Sequence, residues 1–263
     1  MSKFRTTEIS DTPFESNGLR FITVKSTHLK GRGDICVFVP MGEHQHLPIV
    51  TLLHGVYGSA WIWAMKAGAH LTAQRMIDNG EIKPMILAMP SDGLWGDGSG
   101  YVSHGGVDYE KWIAEDVVDA VMELIPEASK KSTRFISGLS MGGYGALRIG
   151  AKYANQYKGI SAHSSITDID QMKLFVEEPL TAYLQKDGKD QSVFQTILAQ
   201  KSKLPPLRFD CGKHDLLIAY NRNLHNQLNQ HQITHTYEEF EGKHEWPYWA
   251  EHLKDTLKFF SDI

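Results

Sequence analysis

The chain alternates short, continuously apolar runs with longer stretches in which apolar residues recur every three or four positions. The short runs are rich in β-branched and aromatic residues and are bounded by glycine, proline or polar residues, which is typical of strands. We predict about eight strands, at 21–24, 35–39, 49–53, 85–89, 134–137, 159–162, 206–211 and 234–240. The first two flank a turn at 30–34 and are expected to pair as a hairpin, whereas the next three are apolar throughout, as in a parallel sheet that is covered on both faces.

Helix-length patterns lie between the predicted strands. In the stretch 108–125, Trp112, Val117 and Val121 fall on one face, and Pro126 ends the pattern. Further helices are predicted at 143–153, 216–231 and 246–260. Because helices alternate with strands after the opening hairpin, the sequence predicts an α/β fold with a mixed, mainly parallel sheet and helices on both faces.

One segment, 167–204, departs from this rhythm, because it mixes short apolar patches with charged residues and contains no clear strand. We interpret it as an insertion over the functional site. A functional lid and a plain surface excursion both fit its length. The chain of 263 residues is otherwise of the size of one α/β domain, so that a single domain over 1–263 is expected.

Composition and charge exclude several classes of protein. The chain has 41% hydrophobic and 22% charged residues, and no run approaches the length of a membrane-spanning helix. A net charge of -4 without blocks of like charge gives no reason to expect a nucleic-acid or anionic-membrane partner. The first residues lack the apolar core of a secretory signal, and Cys36 and Cys211 each lie in a predicted strand, so we expect a cytoplasmic protein with free thiols. The sequence leaves the oligomeric state open.

The stretch Gly138-Leu139-Ser140-Met141-Gly142 carries the first sign of chemistry. It follows a predicted strand and precedes a predicted helix, as the G-x-S-x-G nucleophile elbow does. In that elbow a serine sits on a sharp, strained turn, so that its hydroxyl projects above the sheet. We therefore predict Ser140 as a nucleophile.

A serine hydroxyl needs a base within hydrogen-bond reach and a third group to orient that base. With the elbow, the expected order along the chain is Ser, then Asp or Glu, then His. Asp215 follows the strand 206–211, and His244 follows the strand 234–240, so both are expected at the same sheet edge as Ser140. Asp215 could instead cap the next helix. The alternatives are Asp210 and Asp168 for the acid and His214 for the base.

An acyl-transfer intermediate also needs two backbone N–H donors for its oxyanion. Met141, directly after the nucleophile, is predicted to supply one. Val56, in the glycine-containing loop 54–58 after the strand 49–53, is predicted to supply the other. Tyr57, Trp95 and Trp246 are candidates for the walls of a substrate pocket, although core packing explains such aromatic residues equally well.

No cofactor or metal is predicted. The glycine-rich stretch 96–100 lacks the Lys-Ser/Thr ending of a phosphate-binding loop, and His44 and His46 fit a solvated turn better than a metal site.

Together the stretches 53–58, 138–145, 211–215 and 242–246 resemble the esterase D-like branch of the α/β-hydrolases. This branch includes S-formylglutathione hydrolases, tributyrin esterases, feruloyl and acetyl xylan esterases, and mycolyltransferases. The resemblance covers nearly the whole chain and implies an α/β-hydrolase fold, a catalytic triad of Ser140, Asp215 and His244, and oxyanion donors at Val56 and Met141.

The sequence departs from the branch in two places. Val56-Tyr57 replaces the Leu-Thr-Cys-like sequence of formylglutathione hydrolases, and 167–204 matches no particular subfamily. The expected activity is hydrolysis of a small-molecule, short-chain acyl ester through an acyl-enzyme. An S-formylglutathione hydrolase, a feruloyl or acetyl xylan-type esterase, an acyltransferase and a catalytically silent binding scaffold are the alternatives.

Overall fold

The computed structural model describes residues 2–263, and a nine-stranded sheet runs through its centre. The strands of the chain are β1 (Thr7–Ile9), β2 (Leu19–Ser26), β3 (Gly31–Phe38), β4 (Ile49–Leu53), β5 (Ile86–Pro90), β6 (Ser103–His104), β7 (Val107–Asp108), β8 (Arg134–Leu139), β9 (Gly159–His163), β10 (Leu207–Gly212) and β11 (Thr236–Phe240). The order of the strands in the sheet is β1-β2-β3-β5-β4-β8-β9-β10-β11. The first three strands and the β3–β5 pair are antiparallel, and all pairs from β5 to β11 are parallel. The predicted mixed, mainly parallel sheet is therefore confirmed.

Helices cover both faces of this sheet. They are α1 (Ile62–Ala67), α2 (Ala69–Asp78), α3 (Tyr109–Lys111), a π-helical stretch (Trp112–Val117), α4 (Val118–Leu124), α5 (Met141–Lys152), α6 (Val193–Ala199), α7 (Ile218–Gln230) and α8 (Trp246–Asp262). Strand β4 shows why two layers form, because Ile49 and Leu53 join the core under α3 to α7, while Val50 and Leu52 join the core under α1, α2 and α8. Alternate side chains of a strand point to opposite faces, so a fully apolar strand needs both layers.

Two features differ from the sequence-based expectation. Strand β1 adds a ninth strand at the edge of the sheet. Thr7 and Ile9 are only partly buried and Glu8 is exposed, so that the strand carries no apolar run. The helix expected over 108–125 is broken by the π-helical stretch Trp112–Val117, whose widened hydrogen bonding leaves the apolar pattern intact.

The segment 167–204 contains α6 and short 3-10 turns but no strand among its residues. The part of the segment around Asp190 is held by Arg148, a buried residue of α5, whose Nε donates to the Asp190 carbonyl at 2.6 Å. The guanidinium of Arg148 also forms an ion pair with Glu110. The segment is therefore tied to the helical layer through a buried charge.

Cys36 and Cys211 are both buried and unbridged, and burial raises the pKa of the Cys36 thiol to about 12. Within residues 2–263, none of the helices combines the length and the apolar character that crossing a bilayer requires.

Candidate active site

Ser140 lies at the sharp turn between β8 and α5. Its φ of 53° and ψ of −118° are rare for a residue with a side chain and carry an energetic cost. Two glycines allow the turn to pack: a Cβ on Gly138 would lie 2.2 Å from the Gly142 carbonyl oxygen, and a Cβ on Gly142 would lie 2.4 Å from the Leu53 carbonyl oxygen. The sequence G-x-S-x-G thus builds a turn that presents the serine at the carboxyl edge of the sheet.

His244 lies in the loop between β11 and α8 and faces both other predicted residues. Its Nε2 atom lies 3.0 Å from Ser140 Oγ, and its Nδ1 atom lies 2.9 and 3.0 Å from the two carboxylate oxygens of Asp215. A carboxylate only accepts hydrogen bonds, so Nδ1 carries the proton and the Nε2 lone pair faces the serine hydroxyl. The arrangement can take a proton from Ser140.

Asp215 lies in the turn between β10 and α7, with a fully buried side chain. Its Oδ1 atom also accepts the Leu217 N–H at 2.7 Å. This bond lies in the turn before α7, whose N-cap is Leu217 and has no side-chain cap, so Asp215 is not the cap of that helix. The carboxylate has enough lone pairs for both Leu217 and His244.

The alternative residues lie elsewhere. Asp210 is buried within β10 and is bonded to His163 and Tyr248. Asp168 accepts the Asp170 N–H at the start of a 3-10 turn. His214 is exposed and pairs with Glu241.

Two aromatic rings pack against the imidazole of His244. Phe175 stacks on it at 5.3 Å between centroids, and Trp249 of α8 meets it edge-on at 4.9 Å. Only 13% of the side chain of His244 is exposed. These two contacts and the hydrogen bond to Asp215 restrict the orientation of the ring, with Nε2 directed toward Ser140.

The loop after β4 brings a second backbone donor to the serine. A Cβ on Gly55 would lie 2.9 Å from Leu139 Cδ1 and 3.3 Å from Ser140 Cβ, so the loop passes close to the nucleophile. Within residues 2–263, neither the Val56 N–H nor the Met141 N–H is bonded to another residue of the chain. Both predicted donors are therefore available to a ligand.

His54 fixes the peptide that carries one of these donors. Its Nδ1 donates to the Gly55 carbonyl at 2.7 Å, and its Nε2 accepts the Asp92 N–H at 3.2 Å. The Gly55 carbonyl and the Val56 N–H belong to one planar trans peptide and point in opposite directions. A Cβ on Gly58 would lie 2.3 Å from His54 Nδ1, which explains the glycine there.

A cavity of about 690 Å³ opens beside Ser140 and His244, and aromatic rings form much of its wall. Tyr57 and Trp246 line it, as expected of pocket residues. The prediction for Trp95 needs correction, because this ring lies outside the cavity.

Trp95 packs edge-on against His104 and Tyr183. His104 belongs to the β6–β7 hairpin and Tyr183 to the segment 167–204, so the Trp95 ring packs between these two parts of the chain.

The segment 167–204 contributes directly to the site through Phe175, which lines the cavity as well as stacking on His244. The Tyr57 hydroxyl donates to the Phe175 carbonyl. Next to it, Asp97 accepts the Glu177 N–H at 2.9 Å and donates its own N–H to Glu178 Oε1 at 3.1 Å. The inner part of the segment is thus fastened to the glycine-rich loop.

Sequence reasoning missed Phe175, Trp249 and Lys66, which all line the cavity. Trp249 follows His244 on the buried face of a predicted helix and could have been found from that spacing. Phe175 lies in a segment without a periodic pattern, so nothing in the sequence marks it. Among the side chains that the structure describes, no cluster of three or more His, Cys, Asp or Glu is suited to hold a metal ion.

Comparison with known proteins gives relatives along almost the entire chain. A curated acetyl esterase of Caldicellulosiruptor saccharolyticus is 29% identical over 239 residues, which cover 84% of this chain and 86% of the relative. A solved ferulic acid esterase superposes with a TM-score of 0.79 at 21% identity and 99% coverage of both chains. An S-formylglutathione hydrolase from Agrobacterium tumefaciens gives a TM-score of 0.79 at 18% identity, covering 100% of this chain and 99% of the other.

These superpositions show the α/β-hydrolase fold that the sequence predicts. The family model described as Putative esterase matches residues 26–260, which include the turn at Ser140 and the loops of Asp215 and His244. The chain therefore belongs to the Putative esterase family and is a carboxylic ester hydrolase of the α/β-hydrolase fold.

Proposed function

We propose that Ser140, His244 and Asp215 are the catalytic triad of an esterase that works through an acyl-enzyme. One observation carries the proposal: the continuous hydrogen-bond chain from Ser140 Oγ through His244 to Asp215, with distances of 2.9 to 3.0 Å. This is the arrangement in which a serine hydroxyl becomes a nucleophile at neutral pH.

In the first half of the reaction, Ser140 Oγ attacks the ester carbonyl carbon while His244 Nε2 takes the hydroxyl proton. The carbonyl oxygen becomes an oxyanion, which the N–H groups of Val56 and Met141 stabilise. Asp215 stabilises the imidazolium through Nδ1. The tetrahedral intermediate collapses, the proton passes from His244 to the leaving alkoxide, and the alcohol departs.

In the second half, a water molecule replaces the alcohol. His244 takes a proton from this water as it attacks the acyl carbon, and the acid leaves when Ser140 Oγ takes that proton back. Attack by an acceptor alcohol instead of water would make the enzyme an acyltransferase. The ratio of acid to new ester in the presence of an added alcohol measures this partition.

The proposed substrate is a small-molecule ester with a short acyl chain. The acetyl activity named for the relative at 29% identity supports it. Esters with an aromatic acyl group are the second candidate, because Trp61, Trp246 and Phe175 line the cavity.

A fluorophosphonate probe tests the triad, since it reacts with a serine only when a base activates it. We expect labelling of the wild-type protein and none of Ser140→Ala, while Ser164→Ala, a buried serine outside the triad, should label normally. Absence of labelling in the folded wild-type protein would favour a silent binding scaffold. A series of p-nitrophenyl esters, beside S-formylglutathione and feruloylated sugars, then ranks the acyl groups. Faster turnover of long-chain than of acetyl esters would contradict the short-chain proposal.

Three further properties belong to the same proposal. The chain acts as one domain, because both helical layers pack on one continuous sheet. Its partners are small esters rather than nucleic acid, in line with the net charge of -4. It works in the cytoplasm, where buried, unbridged thiols such as Cys36 and Cys211 persist.

A further inference from the structure

A second His–Asp pair lies buried in the sheet near the Ser140 turn, and the proposed reaction does not use it. Its centre is the carboxylate of Asp210, which has no exposed surface. This carboxylate accepts hydrogen bonds from His163 Nδ1 at 2.8 Å and from the Tyr248 hydroxyl at 2.8 Å. Arg208 Nη2 lies 3.0 Å from it. The Asp210 carboxylate makes no hydrogen bond to a side chain of the proposed triad.

Further hydrogen bonds extend the network from Asp210 through His163 and Thr256 to Arg208. His163 Nδ1 donates to Asp210, so His163 Nε2 accepts, and Thr256 Oγ1 donates to it at 2.9 Å. Arg208 Nη1 donates in turn to Thr256 Oγ1 at 3.2 Å. In this arrangement every donor meets an acceptor.

The charges in the network favour an ionised Asp210. Burial by itself would raise the pKa of this carboxyl, but the hydrogen bond from His163 and the positive charge of Arg208 outweigh burial and hold the pKa below its usual range. Burial and the adjacent Asp210 raise the pKa of Tyr248. The bond between them therefore joins a neutral phenol to a carboxylate, which makes it stronger than a bond between two neutral groups.

One end of the network holds the nucleophile turn through the backbone. The Ser140 N–H donates to the His163 carbonyl at 3.0 Å, and the Ser164 N–H donates to the Asp210 carbonyl at 2.8 Å. The side-chain pair thus joins the same two strands, β9 and β10, whose ends position the turn.

The other end supports the loop that carries His244. Tyr248 lies in the first turn of α8, and its ring packs against this loop so closely that a Cβ on Gly242 would lie 2.5 Å from Tyr248 Cδ2. The next residue, Trp249, meets the imidazole of His244 edge-on. A shift of Tyr248 would therefore move both the loop and the ring that packs against the base.

We propose that the Tyr248–Asp210 hydrogen bond sets the position of His244 relative to Ser140, which makes Tyr248 a positioning residue of the esterase. The proposal rests on the proposed triad. Its physical basis is that Ser140 and His244 lie 104 residues apart in the chain, and the network around Asp210 connects the turn of one with the loop of the other. Small displacements between a nucleophile and its base have large effects, since about 1 Å can cost about 100-fold in rate.

The test is Tyr248→Phe, which removes only the hydroxyl. The matched control is Tyr153→Phe, which removes a tyrosine hydroxyl that also bonds to a carboxylate, Glu110 Oε1 at 3.1 Å, remote from the triad. Both variants are assayed with p-nitrophenyl acetate, and the acyl burst counts the folded, active enzyme, so kcat refers to competent sites only. The rate constant of labelling by a fluorophosphonate is measured in parallel.

We expect Tyr248→Phe to lower kcat about 10-fold and the labelling rate by a similar factor, with KM within about two-fold of wild type. Tyr153→Phe should keep both rates within about two-fold. Equal kcat values for the two variants would overturn the proposal, and so would a Tyr248→Phe protein that cannot be obtained folded, because the network would then serve stability alone. Failure of the triad itself is seen separately, as wild-type protein that the probe does not label.

Discussion

Replacement of Asp215 by asparagine tests the acid of the proposed triad. In the wild-type protein, Asp215 Oδ1 accepts the Leu217 N–H at 2.7 Å, and Oδ2 lies 2.9 Å from His244 Nδ1. An asparagine should keep its oxygen on Leu217, because only an oxygen can accept that N–H. Its amide nitrogen then faces His244 Nδ1.

This reversal changes the tautomer of the base. An amide N–H at the Oδ2 position, which is the oxygen nearest to His244 Nδ1 at 2.9 Å, repels the Nδ1 proton, while the oxygen that stays at the Oδ1 position lies 3.0 Å from Nδ1 and is shared with Leu217. The substitution therefore favours the tautomer in which the proton lies on Nε2, where it faces Ser140 Oγ. The imidazole can then no longer take the serine proton. We expect kcat/KM to fall by about 10⁴, which corresponds to about 5.5 kcal/mol in activation free energy. The free energy of unfolding should change by less than about 1 kcal/mol, since the hydrogen bond from the Leu217 N–H remains.

The assay is hydrolysis of p-nitrophenyl acetate, with thermal unfolding as the measure of folding. Asp168→Asn is the matched control, because Asp168 also accepts a backbone N–H two residues ahead, from Asp170, and makes no contact with His244. This control should retain nearly full activity. A folded Asp215→Asn protein with more than about a tenth of wild-type activity would refute the reasoning.

Three further outcomes are expected. Phe175→Ala removes the ring stacked on His244 and should lower kcat/KM about 5-fold to 10-fold without loss of labelling at saturating fluorophosphonate; unchanged kcat/KM would argue against a role for the stack. Gly58→Ala places a Cβ 2.3 Å from His54 Nδ1 and should lower kcat about 10-fold to 100-fold by displacing the oxyanion loop, with normal activity as the contrary result. Burial raises the pKa of Tyr144 and of other tyrosines above 10.0. The contribution of these neutral phenols to the free energy of unfolding should therefore be fully present below pH 10 and fall as the pH rises above it. A melting temperature that is constant from pH 8 to pH 11 would contradict this.

The central strands were the part of the fold that could be predicted best. Strands β4, β5 and β8 are buried on both faces, so their apolar runs stand out, and the motif around Ser140 depends on glycines that only a tight turn requires. Strand β1 was not predictable, because an edge strand of three residues, none of them buried, shows no run or alternation of apolar residues.

The contacts within the site were predictable only where they depend on the order of elements. Asp215 and His244 follow consecutive parallel strands, so their loops meet at one edge. Trp95 and Phe175 show the limit of this approach. Both lie in irregular segments, where the side-chain direction depends on tertiary packing. Trp95, which was expected to line the pocket, therefore packs outside the cavity, whereas Phe175, which no sequence pattern marks, stacks on His244.

The segment 167–204 is hydrogen-bonded to the rest of the protein at two places. Arg148 binds it at Asp190, and Tyr57 and Asp97 bind it at Phe175 and Glu177, close to His244. A cover held in this way does not have to be displaced by an oil–water boundary before the nucleophile becomes accessible. The enzyme should therefore act on dissolved ester molecules, with a rate that follows a simple hyperbola in substrate concentration. No abrupt rise in rate is expected when the ester exceeds its solubility and forms droplets, in contrast to lipases that open at an interface.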